Sequence, residues 1–378
     1  MAGLRLPDSG AFNLNNLLVS FLIGLLVLSA SARAAEVDQF TVLPDEPAAL
    51  PDSVDLLDLE VNRLIQQALD RANSRVMEFN PKKATRWQQP GCDATRLYEK
   101  LILEFGESIE GRLEAYAEES NLLSRRKVAL QESIYRGFSW QSSPTLVLSE
   151  RMASVITLAG VEIGTDKLGH FFSEGYSYFL VTDQLRKSLE SGLLFGEWSE
   201  SVYFGAQTTG VYSFADLTAN FQGLRFWNRV LALQKDPLER KKPDAYVQCI
   251  DDQWQQVATF HWNDYVDAAW NESINCPLLR SEELLRNMQQ QGLHCRFDRL
   301  PISKYGIWHS RLLNQDGLGV LPDHLQAEVI MRQRVDQHDL EMSPETLEYI
   351  GEVRLRLELW RQKSIQKARA HEARAHEQ

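Results

Sequence analysis

Asp166, His170 and Glu174 recur at four-residue steps within the run Gly164-Thr165-Asp166-Lys167-Leu168-Gly169-His170-Phe171-Phe172-Ser173-Glu174-Gly175. On an α-helix that step returns to one face, so three ionisable groups form a polar stripe on an otherwise apolar, aromatic element. An imidazole one turn from a carboxylate can pass a proton to or from a substrate. Asp166 and Glu174 lie about 12 Å apart along the axis at 1.5 Å per residue, too far to clasp one small ion together. A second element must complete the site. Ser213-Phe214-Ala215-Asp216-Leu217-Thr218-Ala219-Asn220 repeats the four-residue step with Asp216 and Asn220, and Gly169, Gly175, Ala215 and Ala219 let two such helices approach closely.

This constellation reads as a hydrolase- or transferase-type site. His170 acts as general base, Asp166 or Asp216 orients it, and Lys167 or Asn220 steadies developing negative charge. Glu174 is the outlying member of the ligand-binding set. The same residues also suit a buried structural network: Thr165 fits a helix N-cap, and Ser213 with Asp216 resembles a capping box. No metal or cofactor is expected, because Lys167 three residues before His170 opposes a second positive charge.

Asp166-Lys167-Leu168-Gly169-His170-Phe171 resembles the Asp-Lys-x-x-His-Phe signature at a helix start in VanZ-like bacterial envelope proteins. Together with Asp-Leu-x-Ala-Asn-x-x-Gly at Asp216 to Gly223, it is similar to an uncharacterised exported bacterial family carrying a Gly-Thr-Asp-Lys-x-Gly-His-Phe helix motif. The resemblance implies an envelope setting and names no reaction.

The elements that must position these residues are mainly α-helical. Residues 1–34 read as a cleavable signal peptide, with Arg5, the apolar run Leu17 to Leu28 and the small-x-small site Ala32-Arg33-Ala34. That run is shorter than the roughly 20 apolar residues that span a bilayer. Residues 35–54 form an extended, proline-bearing leader. A helical core domain then covers 55–235. Within it an amphipathic helix carries Leu56 to Leu69, and a second runs from Thr95 to about Leu123. The heart of the fold falls in segments 147–160, 166–187 and 213–233, with a short helix near Leu193 to Gly210. Residues 245–342 read as an irregular, disulfide-bearing region, and 343–378 as a C-terminal helix and tail opening at Ser343-Pro344-Glu345.

The four cysteines, Cys92, Cys249, Cys276 and Cys295, imply two disulfides in an oxidising compartment, periplasmic or secreted, with three pairings open. Cys276–Cys295 closes a short local loop; a metal set joining them to His294 matches no compact zinc spacing. A net charge of −12 without a basic patch excludes electrostatic nucleic-acid binding. A lipid or glycan envelope component is the expected partner, with a membrane surface possible and no spanning helix after the leader. Weaker signals are the aromatic set Tyr135, Tyr176, Tyr178, Tyr203 and Tyr212, the pair His261 and Asp264, and the tail histidines His371 and His376. There is no Gly-x-Ser-x-Gly elbow, His-Glu-x-x-His or dinucleotide fingerprint.

Overall fold

The computed structural model describes residues 49–326 apart from 79–85, 89–90, 107–111, 150–151, 185–186, 202–204, 294 and 307–308. The segments read as a signal peptide, as most of the leader and as a C-terminal helix from Ser343, together with His294, Tyr203, His371 and His376, lie outside the described residues. Helices dominate, joined by small two- and three-stranded sheets.

Helix α1 (Val54–Asn73) buries Leu57, Val61, Leu64, Ile65, Ala68 and Leu69 at helical spacing. It packs on α2 (Ala94–Phe105), whose N-cap Asp93 accepts from the amides of Thr95 and Arg96. Between them β1 (Val76–Glu78) and β2 (Arg86–Gln88) pair antiparallel. The helix expected to run to Leu123 breaks at Gly106, whose φ of 107° no L-residue adopts comfortably, and resumes as α3 (Arg112–Glu119).

Segment 147–160 is not one continuous element. A short α4 (Pro144–Ser149) gives way to a hairpin of β3 (Val155–Leu158) and β4 (Val161–Gly164). The β-branched residues Val155, Ile156, Thr157, Val161 and Ile163 flank Ala159-Gly160, both at positive φ, which form a tight two-residue turn. Asp52 accepts from both turn amides and from Val54 at the start of α1, so one carboxylate ties hairpin and helix together. At the hairpin's other end Glu118 of α3 accepts from Ser154 and from the Thr165 hydroxyl. The strand therefore delivers Asp166 at a fixed place.

From there the chain runs through α5 (Asp166–Gly169), a π-helical turn (His170–Glu174), α6 (Gly175–Phe179) and a second π-turn (Leu180–Gln184). The expected short helix appears as α7 (Leu189–Ser199). Strand β5 (Val211–Tyr212) leads to α8 (Phe214–Leu231), capped by Ser213 as the sequence implies. Helix α8 is buried on nearly every side, which makes it the central element. A Cβ on Gly175 would come within 2.6 Å of Gly223 Cα, so the two helices cross backbone to backbone. Trp227 of α8 donates to the Phe172 carbonyl, and Phe105, Phe171, Phe172, Phe226, Phe260 and Trp262 form a continuous aromatic core around the crossing.

The region after α8 is irregular. It holds the hairpin β6 (Val247–Ile250) with β7 (Gln253–Gln256), several 3-10 turns, β8 (Leu278–Leu279), α9 (Glu282–Gln290) and β9 (Gly319–Val320). Strand β8 pairs antiparallel with β5 and parallel with β9, which pins the chain just before the Ser213 cap. The cysteines join as Cys92–Cys249 and Cys276–Cys295. No helix among the described residues is long and apolar enough to cross a membrane.

Candidate functional site

Asp166 and Lys167 occupy the first turn of α5, held by the hairpin, while Asp216 occupies the first turn of α8, held by the Ser213 cap. The ammonium of Lys167 sits at the centre. It lies 2.9 Å from Asp166 Oδ2, 2.6 Å from Asp216 Oδ1 and 2.8 Å from Glu272 Oε1, and all four side chains are at most 1% exposed. Ser213 joins one further carboxyl to this knot: its hydroxyl donates to Glu272 and its amide to Glu200.

His170 lies on the outer side. Its Nε2 is 3.3 Å from Asp216 Oδ2, its Nδ1 meets the Asn220 amide group at 3.1 Å, and Glu174 Oε2 is 3.8 Å from Nδ1. Of the two carboxylates that could orient His170, Asp216 is the one beside its ring, because Asp166 turns its oxygens to the amide and ammonium of Lys167. The expected α-helical stripe is also altered. The Gly175 amide bonds back to the His170 carbonyl across the π-turn, so His170 and Glu174 bracket one wide turn. Exposure rises across the cluster: the side chain of Glu174 is 14% accessible and that of His170 6%, against 0–1% for the inner carboxylates. Glu174, the outlying member in sequence, is the most accessible member of the cluster among the described residues.

The electrostatics follow from this layering. Burial raises Asp166, and neighbouring Asp216 adds to that. Asp216 goes the other way: burial opposes its charge, but His170 and Lys167 hold it well below the usual carboxylate range. Burial also opposes charge on His170, yet Asp216 beside it, with Glu174, lifts its pKa well above the ordinary value. Burial pushes Glu174 up to about 7, and burial with Asp216 nearby pushes Glu200 up to about 8. A carboxyl that titrates near neutrality beside an imidazole is an arrangement suited to proton transfer.

Asp166, His170 and Asp216 place one potential ligand atom each within 4.8 Å of one another, the spacing of a divalent-cation site. Lys167 already stands 2.6 Å from Asp216. A doubly charged ion about 4 Å from that ammonium meets repulsion on the order of 8 kcal/mol at an effective dielectric of about 20.

Asp166, Lys167, His170, Glu174, Asp216 and Asn220 are thus brought together. The weaker candidates are not. His261 pairs with Asp58 while Asp264 pairs with Arg229, and the cap of the following turn is Asp267. Tyr135, Tyr178 and Tyr212 are buried in packed clusters; Tyr178 is the exception in reaching the site, its hydroxyl lying 3.5 Å from the Asn220 amide group. Both Cys276 and Cys295 are committed to their disulfide. Sequence reasoning missed Glu200 and Glu272. Glu200 carried a usable signal, an acid closing an apolar, glycine-rich helix, whereas Glu272 lies 105 residues from its partner Lys167 in a segment without periodicity. No protein-family model, curated protein or solved structure matches the chain.

Proposed function

We propose that this chain is an exported bacterial envelope protein in which the crossing of α6 and α8 carries a ligand-binding acid–base site, working on a lipid or glycan component. The observation that carries this reading is the pairing at the cluster's edge. Glu174, titrating near neutrality, faces His170, which Asp216 supports from behind. A purely structural network has no need of an accessible, half-ionised carboxyl next to a cationic imidazole. The roles then differ from the simplest assignment: Glu174 is the base at neutral pH, and His170 is the acid that returns the proton or holds negative charge. The inner knot of Lys167, Asp166, Asp216 and Glu272 keeps that pair in place. Export is supported by the two disulfides and by the leader-like residues 1–34.

The test uses the mature, oxidised chain with phosphatidylethanolamine–phosphatidylglycerol vesicles and with soluble peptidoglycan fragments, products being followed by mass spectrometry. Glu174→Gln and His170→Gln should abolish product formation or ligand binding while melting within a few degrees of the parent. If both variants retain every reaction of the parent, or if neither probe is bound or changed, the acid–base reading fails.

A further inference from the structure

We propose that Asn220, anchored by Tyr178, is a positioning residue that decides which nitrogen of His170 carries the proton. The inference deepens the acid–base reading and rests on it for its purpose, although the geometry stands by itself. The polar atom of the Asn220 amide nearest His170 has three neighbours at 3.1 Å: the carbonyl oxygens of His170 and Asp216, and His170 Nδ1. A carbonyl oxygen only accepts hydrogen bonds. An amide oxygen there would face two acceptors, whereas an amide nitrogen donates to them, so the nitrogen belongs on that side.

The consequence bears on the neutral ring: while His170 is cationic the two amide hydrogens of Asn220 serve the carbonyls of His170 and Asp216, and when the ring loses its proton one of them turns to Nδ1. With Asn220 Nδ2 donating toward it, Nδ1 of the neutral ring is an acceptor and the proton resides on Nε2, which faces Asp216 Oδ2 at 3.3 Å. The working proton is then the one that joins and leaves Nδ1, the nitrogen 3.8 Å from Glu174 Oε2 and on the accessible side. The other amide atom of Asn220 lies 3.5 Å from the Tyr178 hydroxyl; with the nitrogen facing the ring that atom is the oxygen, and the hydroxyl donates to it. Tyr178 cannot easily swing aside, since its hydroxyl occupies the space where Gly196 would otherwise carry a side chain. Asp166, His170, Glu174 and Tyr178 thus continue one series along the chain, the first three ionisable and the fourth holding the amide that orients the second.

The experiment is a long-range proton–nitrogen spectrum of the mature, disulfide-intact chain labelled with ¹⁵N-histidine, followed across pH. In the parent, the neutral His170 ring should keep its proton on Nε2 and show an unprotonated Nδ1; a neutral ring protonated on Nδ1, or an even mixture, overturns the proposal. Tyr178→Phe removes the donor to the amide oxygen and should reduce the tautomer preference about fivefold, the worth of about 1 kcal/mol of hydrogen bond. An unchanged ratio overturns the anchoring role. Asn220→Asp, which replaces the donor by an acceptor, should keep His170 doubly protonated to a pH at least one unit higher, and no shift counts against the proposal. Should that variant not fold, the parent and Tyr178→Phe spectra decide. Because these spectra do not depend on turnover, the expected tautomer in an inactive chain would sink the acid–base reading and leave this inference standing.

Discussion

Replacing Lys167 by Met is the sharpest test of how the inner knot is held. Lys167 touches three carboxylates at 2.6–2.9 Å inside the protein. At an effective dielectric of about 20, each contact is a gross attraction of about 6 kcal/mol, most of it offset by the cost of taking the ammonium and its partners out of water. Met fills nearly the same volume, so the effect isolates the charge. Asp216 keeps His170 at 3.3 Å, but Asp166 and Glu272 lose the cation between them. Breaking a buried ion pair by removing one partner costs about 3–5 kcal/mol, and we expect about 4 kcal/mol at pH 8. The cost should depend on pH in one direction only. The stranded carboxyls acquire raised folded-state pKa values, so they take up protons as the pH falls and the penalty shrinks by half or more at pH 5.5. Urea unfolding of the oxidised chain, parent against Lys167→Met at both pH values, reads this directly. A loss below 1 kcal/mol at pH 8, or an equal loss at both pH values, would refute the account of the knot as ammonium-centred.

Two further outcomes follow from the same geometry. The parent should lose stability between about pH 5 and pH 8, because Glu174, Glu200 and His170 all have folded-state pKa values above their unfolded ones and so bind protons preferentially when folded. Asp216 and Glu118 run the other way, their contributions being lost as the pH falls below the usual carboxylate range. Glu200→Gln should flatten the alkaline decline by at least about 1 kcal/mol in urea midpoints, and an equally steep decline would contradict the assignment. At the helix crossing, Gly223→Ala should cost more than about 3 kcal/mol or prevent folding, because its Cβ would overlap the Phe171 carbonyl. Gly160→Ala, at φ of 77° with no atom near the new methyl, should cost only about 1 kcal/mol by thermal melting; equal effects would mean that the crossing is not tight.

What was legible in the sequence was what short-range chemistry encodes. The apolar stripe of α1, the Ser213 cap of α8, the two-helix site and the small residues at its crossing all follow from neighbours within one or two turns. The β3–β4 hairpin was encoded as well, by the β-branched residues flanking Ala159-Gly160, but its apolar residues also fit a helical run. The π-turn at His170 left no mark in residue type. It changes one hydrogen-bond partner, not the composition, and its effect was to make Glu174 the accessible partner of His170. The choice of Asp216 over Asp166 as that histidine's carboxylate was a competition among three acids for one lysine, which no pairwise spacing rule resolves. Glu272 reaches Lys167 only because the irregular region folds back over the core.

The disulfide pattern has a consequence for how such a chain reaches its folded state. The pairs are consecutive in sequence, Cys92 with Cys249 and then Cys276 with Cys295. A chain emerging amino terminus first into an oxidising space would expose Cys92 alone for 157 residues, offer it Cys249 as the next thiol, and only then release the last two. Simple order of arrival therefore selects the native pairing among the three that four cysteines permit. Every residue of the central site except Glu272 is already out when the first bond closes, so that bond can seal a nearly complete helical core, while Glu272 follows in the short stretch leading to the second pair.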